Sequence, residues 1–372
     1  MPPAQPWTIP GDTANALTTR ACVEIIRAVL SVHNYNRRAL LEGLAVLGAG
    51  ALLGRRRLAA ESPARSIIDV HHHFYPPTYV TELGRANQAL AAAKDWAPEK
   101  SLEDMDKAGV ATAVLSITTP GVSFGDDALA RRLARECNEY AARLASDHPG
   151  RFGSFAILPW PNGDASLREI EYSLDTLKAD GIGMLTNYGD KWFGDPYFAP
   201  IFEELNRRKA VVYTHPTSAN CCRNALAGIP DTIVEYGTDT SRAITRTVFS
   251  GTSLKYPDIR MIFSHAGGTM PFLIERLVNL AKTPQYATQL PKGFLAEAAK
   301  FYYDTAQASN PAAMSALRKV VPISQIVFGT DYPFRTSLEH VKGLKECGVF
   351  SGQELRAIER ENPLRLVPRR RA

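Results

Sequence analysis

Eight short apolar runs, each separated from the next by enough chain to form a helix, limit this protein's fold more than any other feature. They fall at 66–71, 112–117, 152–158, 181–186, 210–215, 259–265, 301–305 and 325–331. Most are apolar along their length, whereas a strand with one wet face alternates apolar and polar residues. Strands of this kind are covered on both faces, and parallel pairing needs long crossovers between them. The amphipathic segments 128–146, 166–179, 198–209 and 240–256 supply such crossovers. Eight strand–helix repeats predict an α/β fold of the TIM (β/α)8 type, with any site at the C-terminal ends of the strands. An open doubly wound sheet is the alternative, but no Gly-x-Gly-x-x-Gly turn follows a run. The expected organisation is a leader at 1–65, one catalytic domain at 66–365 with 76–100 as a long first loop, and a basic tail at 366–372.

The formal charge of +5 invites a nucleic-acid reading, and its distribution removes that reading. Residues 1–65 hold eight Arg against four acidic residues, and Arg369, Arg370 and Arg371 close the chain. The body between them is therefore slightly acidic, and no nucleic-acid partner is expected. Arg37-Arg38 precede an apolar run at 45–54 in the manner of a Tat-type export signal. Two features depart from that pattern: Arg55-Arg56-Arg57 follows the run, and some thirty residues precede the pair. The expected location is the cytoplasm, or the periplasm or exterior if the leader acts as a signal. The run is too short and Gly-rich for stable membrane insertion. Five Cys without a Cys-x-x-Cys pair argue against a zinc ribbon or a disulfide scaffold.

Polar residues interrupt the apolar runs at their C-terminal ends. Ile67-Ile68-Asp69-Val70 leads into His71-His72-His73, and alternation along a strand sends His71 and His73 one way and His72 the other. The fifth run ends in His215, the sixth in His265 and the eighth in Asp331. Taken singly, each is more readily a cap or a loop hydrogen bond than a ligand. Taken together at the mouth of one barrel, they form a metal cage, because neutral imidazole and carboxylate are the usual ligands of Zn²⁺ and Mn²⁺.

With Ile68-Asp69-Val70-His71-His72-His73, Tyr213-Thr214-His215-Pro216, Ser264-His265-Ala266-Gly267-Gly268 and Gly329-Thr330-Asp331-Tyr332-Pro333, the chain resembles the amidohydrolase superfamily. The resemblance is to the branch with aminocarboxymuconate-semialdehyde, resorcylate, carboxyvanillate and methylsalicylate decarboxylases. It implies that His71, His73, His215 and Asp331 bind one divalent metal, Zn²⁺ ahead of Mn²⁺, and that His265 is the acid/base beside it, with Asp331 also catalytic. The fourth run ends Met184-Leu185-Thr186-Asn187, without the Lys that bridges two metals in many relatives, so one metal is expected.

Two reactions fit these residues. In one, an aromatic or unsaturated carboxylic acid such as a hydroxybenzoate loses CO₂ while His265 manages a proton at the ring carbon. In the other, activated water attacks a lactone or amide. A metal-binding barrel without catalysis is a third reading, and it would not need His265. The resemblance favours the decarboxylase, as does Arg276, which it implies reaches a partner subunit's substrate in a homodimer. Phe74 and Trp192, with Tyr75, Tyr188 and Phe334, are candidates to stack a flat ring. No Arg in 93–100 matches the second carboxylate-binding Arg of the muconate enzymes, which favours a hydroxybenzoate-like acid. Asp304, ending the seventh run, is either a cap or a carboxylate that orients His265.

Overall fold

The structure, a computed structural model, describes residues 66–370. The expected leader therefore lies outside the described residues. Eight parallel strands follow one another around a barrel: β1 (Ile67–His73), β2 (Val110–Ser116), β3 (Phe152–Ile157), β4 (Gly181–Leu185), β5 (Val211–His215), β6 (Arg260–Phe263), β7 (Tyr302–Asp304) and β8 (Ile326–Val327). The ring closes through backbone bonds between β1 and the chain at and beyond β8. Val70 N donates to Phe328 O at 3.0 Å, Asp331 N to His71 O at 2.8 Å, and His73 N to Tyr332 O at 2.8 Å.

The helices between strands bury one stripe each. Asp127–Asp147 starts where the Asp126 carboxylate accepts from Leu129 N at 2.8 Å. It then buries Leu133, Ala134, Cys137, Ala141 and Leu144, the 3–4 spacing of a helix face. Residues 76–100, expected as loop, form the helices Pro77–Arg85 and Ala91–Lys94, and Pro98 opens a third. Pro suits the first helical turn because no backbone donor is needed there.

Inside the barrel, Ile68, Val70, Val114, Phe155, Val211, Tyr213, Ile262 and Val327 pack together. Leu366 and Val367, grouped with the basic tail by composition, join that cluster and are 1% exposed. Beyond them, the Arg370 guanidinium pairs with Asp180 at 2.7 Å. Apolar burial outweighs the tail's charge, so the chain docks under the barrel.

β1 departs from simple alternation. Asp69 pairs with Ala113 and His72 with Leu115, so three steps along β1 oppose two along β2. This β-bulge shifts the side-chain phase by one residue. Ile68 and Val70 face the barrel interior below it, and His71 and His73 face the interior above it.

Candidate metal centre

His71, His73, His215 and Asp331 converge, with one donor atom from each lying within 4.8 Å of all the others. His71 Nε2 and His73 Nε2 are 3.1 Å apart, and Asp331 Oδ1 lies 3.2 Å and 2.9 Å from them. All four residues are buried. Four such atoms with lone pairs directed at one another are unfavourable unless a cation or protons lie between them. Their other ring nitrogens are already held. His71 Nδ1–H donates to Asp304 Oδ2 at 2.8 Å, His73 Nδ1–H to Ser116 O at 3.1 Å, and His215 Nδ1–H to Pro216 O at 2.8 Å. In their neutral forms, that network selects the tautomer with each Nε2 unprotonated and turned to the cage, where the Thr118 hydroxyl lies 3.1 Å from His215 Nε2. The residues therefore fit one divalent ion, as expected. Lys191, the nearest Lys to the end of β4, lies exposed on a hairpin (Asn187–Tyr188 with Lys191–Trp192).

The electrostatics divide the cage. Burial pulls His71 down, but Asp304 and Asp331 outweigh it and raise its pKa to about 10. Burial also lowers His73 and holds His215 well below the usual imidazole range. Burial pushes Asp331 up, but His71, His265 and His73 more than offset it and hold its carboxyl well below the usual range. Without metal, the cage is one imidazolium, two neutral imidazoles and a carboxylate.

Backbone strain is concentrated here. His265, Gln307 and Asp331 adopt left-handed φ of 54°, 54° and 64°, a conformation costing non-glycine residues roughly 1–2 kcal/mol each. Each strained N–H has an acceptor: Asp304 Oδ1 for His265 at 2.9 Å, His340 Nε2 for Gln307 at 3.0 Å, and His71 O for Asp331 at 2.8 Å. His265 and Asp331, expected inside their strands, therefore lie just past β6 and β8. Two glycines make room. A Cβ at Gly268 would lie 1.9 Å from Gly237 O, and one at Gly329 would lie 2.8 Å from the His71 Cβ.

His265 Nε2 stands 3.4 Å from Asp331 Oδ2, an ion-pair separation, and forms no hydrogen bond. It faces a cavity of about 590 Å³ above the cage. Leu90, Ile233, Ala308 and Phe334 supply apolar wall, Thr118, Thr119, Tyr236 and Gln307 supply polar groups, and among the described residues no Lys or Arg lines it.

Of the other sequence candidates, Phe334 lines the cavity and the following lie elsewhere. Phe74 is 2% exposed and packs against Trp96 and Tyr140. It follows His73, and alternation sends it outward into the helix layer. Trp192 donates its Nε1–H to the buried Asp239 at 2.8 Å and does not line the cavity. Arg276 is exposed on the helix Met270–Ala281 and has no partner among the described residues. Tyr75 is buried, whereas Phe334 lines the cavity. His72 turns away from the cage, bonds Asp69 and Ser101 at 3.0 Å each, and stacks on Tyr332.

Asp304 holds the His71 ring and the His265 backbone, so its side chain orients the cage residue His71 rather than the His265 ring. Asp69 ties the bulge to the eighth strand, accepting from Thr330 N and Oγ1 at 3.1 and 2.6 Å. Tyr236 was beyond sequence reasoning because its helix, Glu235–Phe249, starts five residues before the apolar periodicity does.

Barrel and cage together define a metal-dependent enzyme architecture, and the amidohydrolase family model matches residues 68–369. The chain belongs to that family. It is 37% identical to the decarboxylase yanB of Aspergillus niger over 81% of this chain and 87% of that protein. It is 38% identical to a 6-methylsalicylic acid decarboxylase of Penicillium expansum, over 72% and 84%. Among solved structures, a dihydroxybenzoic acid decarboxylase from a Polaromonas species, with bound manganese and 2-nitroresorcinol, superposes with a TM-score of 0.73. It is 20% identical and covers 83% of this chain and 98% of its own.

Proposed function

We propose that the protein is a metal-dependent, non-oxidative decarboxylase of a hydroxybenzoate-like monocarboxylic acid. The observation carrying this reading is the cage of three Nε2 atoms and one carboxylate opening on a cavity with the unpartnered His265 Nε2 in its wall. The similarity to decarboxylases supports it. When bound, the metal acts as a Lewis acid for developing negative charge. In the reaction the bond from ring carbon to carboxylate breaks, CO₂ leaves, and the bonding pair stays on the ring carbon, which takes up one proton. His265 and Asp331 Oδ2 are the protein groups placed to hold and move that proton.

Among the described residues the cavity's own lining holds no cation, which favours a substrate with a single carboxylate. In this reading a homodimer brings Arg276 of a second copy to the pocket. In support, Arg276 is exposed and unpaired among the described residues, and Phe272 on the same helix is 74% exposed. The donor set accepts Zn²⁺ or Mn²⁺, and metal analysis of the isolated protein distinguishes them.

The test is CO₂ release from hydroxybenzoates with one and with two carboxylates, run beside lactones. Turnover of monocarboxylates alone is expected, with a raised KM in Arg276→Ala and a dimer by sedimentation. Hydrolysis of a lactone without CO₂ release from any acid would overturn the reading.

A further inference from the structure

We propose that Gln307 is a positioning residue that fixes the plane of the Asp331 carboxylate, so that one oxygen stays in the cage while the other is held towards the reaction cavity. The two oxygens have different surroundings. Oδ1 lies among His71 and His73 inside the cage, and Oδ2 accepts the Gln307 Nε2–H at 3.0 Å, with His265 Nε2 3.4 Å away. A carboxylate torsion is broad and two-fold, so outer contacts must hold it. The His265 contact is too long to be a formed hydrogen bond. Gln307 is therefore the only side chain among the described residues that hydrogen-bonds Oδ2.

Gln307 is itself built into place. Its N–H donates to Nε2 of His340, a fully buried histidine whose Nδ1–H is taken by Thr336 O at 3.2 Å. That pairing leaves the His340 Nε2 lone pair for Gln307 and holds its left-handed backbone. Of the other left-handed non-glycine residues, Asn87, Lys178, Asp190, Lys209 and Asn224 are exposed, and Ala266 adjoins His265. The remaining three, His265, Gln307 and Asp331, all meet at Asp331 Oδ2. Strain at a residue that supplies no metal ligand, held by a dedicated buried acceptor, marks a geometric role. Gln307 is also exposed into the cavity, and its carboxamide oxygen has no partner among the described residues.

This inference rests on the decarboxylase reading for its turnover arm only. Gln307→Met keeps the side-chain length and removes the donor. In the full chain it is expected to weaken metal affinity about tenfold and lower kcat by roughly 10–100-fold. KM for the hydroxybenzoate and the melting temperature of the metal-free protein should stay unchanged. His340→Leu should act in the same direction, and the double variant should be no worse than Gln307→Met alone, because the two residues act in series. Wild-type kcat and metal affinity in Gln307→Met, or a raised KM with unchanged kcat, would overturn the proposal. Should the wild type release no CO₂ from any acid, the reaction reading fails, and the metal affinity of Gln307→Met alone decides for or against Gln307.

Discussion

The two ends of this barrel are built on opposite principles. At the bottom, Leu366, Val367, Ile68, Val70, Phe155 and Val327 form an apolar plug, and its stability is ordinary hydrophobic burial. At the top, ionisable side chains are buried together and four non-glycine residues beside them, His265, Ala266, Gln307 and Asp331, hold left-handed backbones. The lower end can therefore absorb loss of contacts in exchange for stability alone, whereas the upper end ties stability, metal and chemistry together. A single bulge in β1 separates the regimes, because it turns the inward face from Val70 to His71.

The comparison breaks most sharply at the cage. Asp331→Ala removes the one carboxylate of the candidate cage, so metal content after dialysis and turnover should vanish together. Retention of full metal by that variant would remove Asp331 from the ligand set. His265→Ala should keep its metal and lose roughly 10²–10⁴-fold in kcat, and undiminished turnover would exclude it from the chemistry. At the other end, Leu366→Ala leaves a cavity in the plug. It should lower unfolding stability by about 2–5 kcal/mol in denaturant titrations, with kcat of the folded enzyme unchanged. A loss of kcat without loss of stability would show the two ends to be coupled.

The smallest expected effect concerns protons. His71 has a folded pKa of about 10 and is the one cage imidazole raised above its usual value. In the metal-free protein it is therefore protonated at neutral pH, and a bound metal must displace that proton. Calorimetry at pH 8 in buffers of differing ionisation enthalpy should find close to one proton released per metal bound. Metal affinity should rise with pH and level off near pH 10. The sign for the fold is opposite: the stabilisation that the His71 ion pairs give the metal-free protein is complete below His71's unfolded pKa and is lost as pH rises through 10. Zero proton release would contradict the charged state of His71.

The strand ends carrying the ligands were legible because apolar runs ending in His or Asp are a one-dimensional signal. His71, His73, His215, His265 and Asp331 all meet as that signal implies. The bulge was not legible, because nothing in Asp69-Val70-His71 marks an extra residue until β2 is laid alongside. The aromatic candidates failed where they depended on rotation: Phe74 lies one step out of phase with His73 and belongs to the core. Gln307 left no trace because its role comes from a left-handed turn and from a histidine 33 positions later in the chain. Leu366 and Val367 were hidden by the arginines that follow them.

Barrel closure has one more consequence. The His73–Asp331 contact spans 258 positions, and the backbone bonds that close the ring lie beside it. During synthesis the histidines of β1 emerge early, yet their carboxylate partner arrives only when the eighth strand does. A nascent chain lacking that strand has an open seam and an incomplete ligand set. The four cage residues therefore come together only once the eighth strand has closed the ring, so a complete cage certifies a completed barrel.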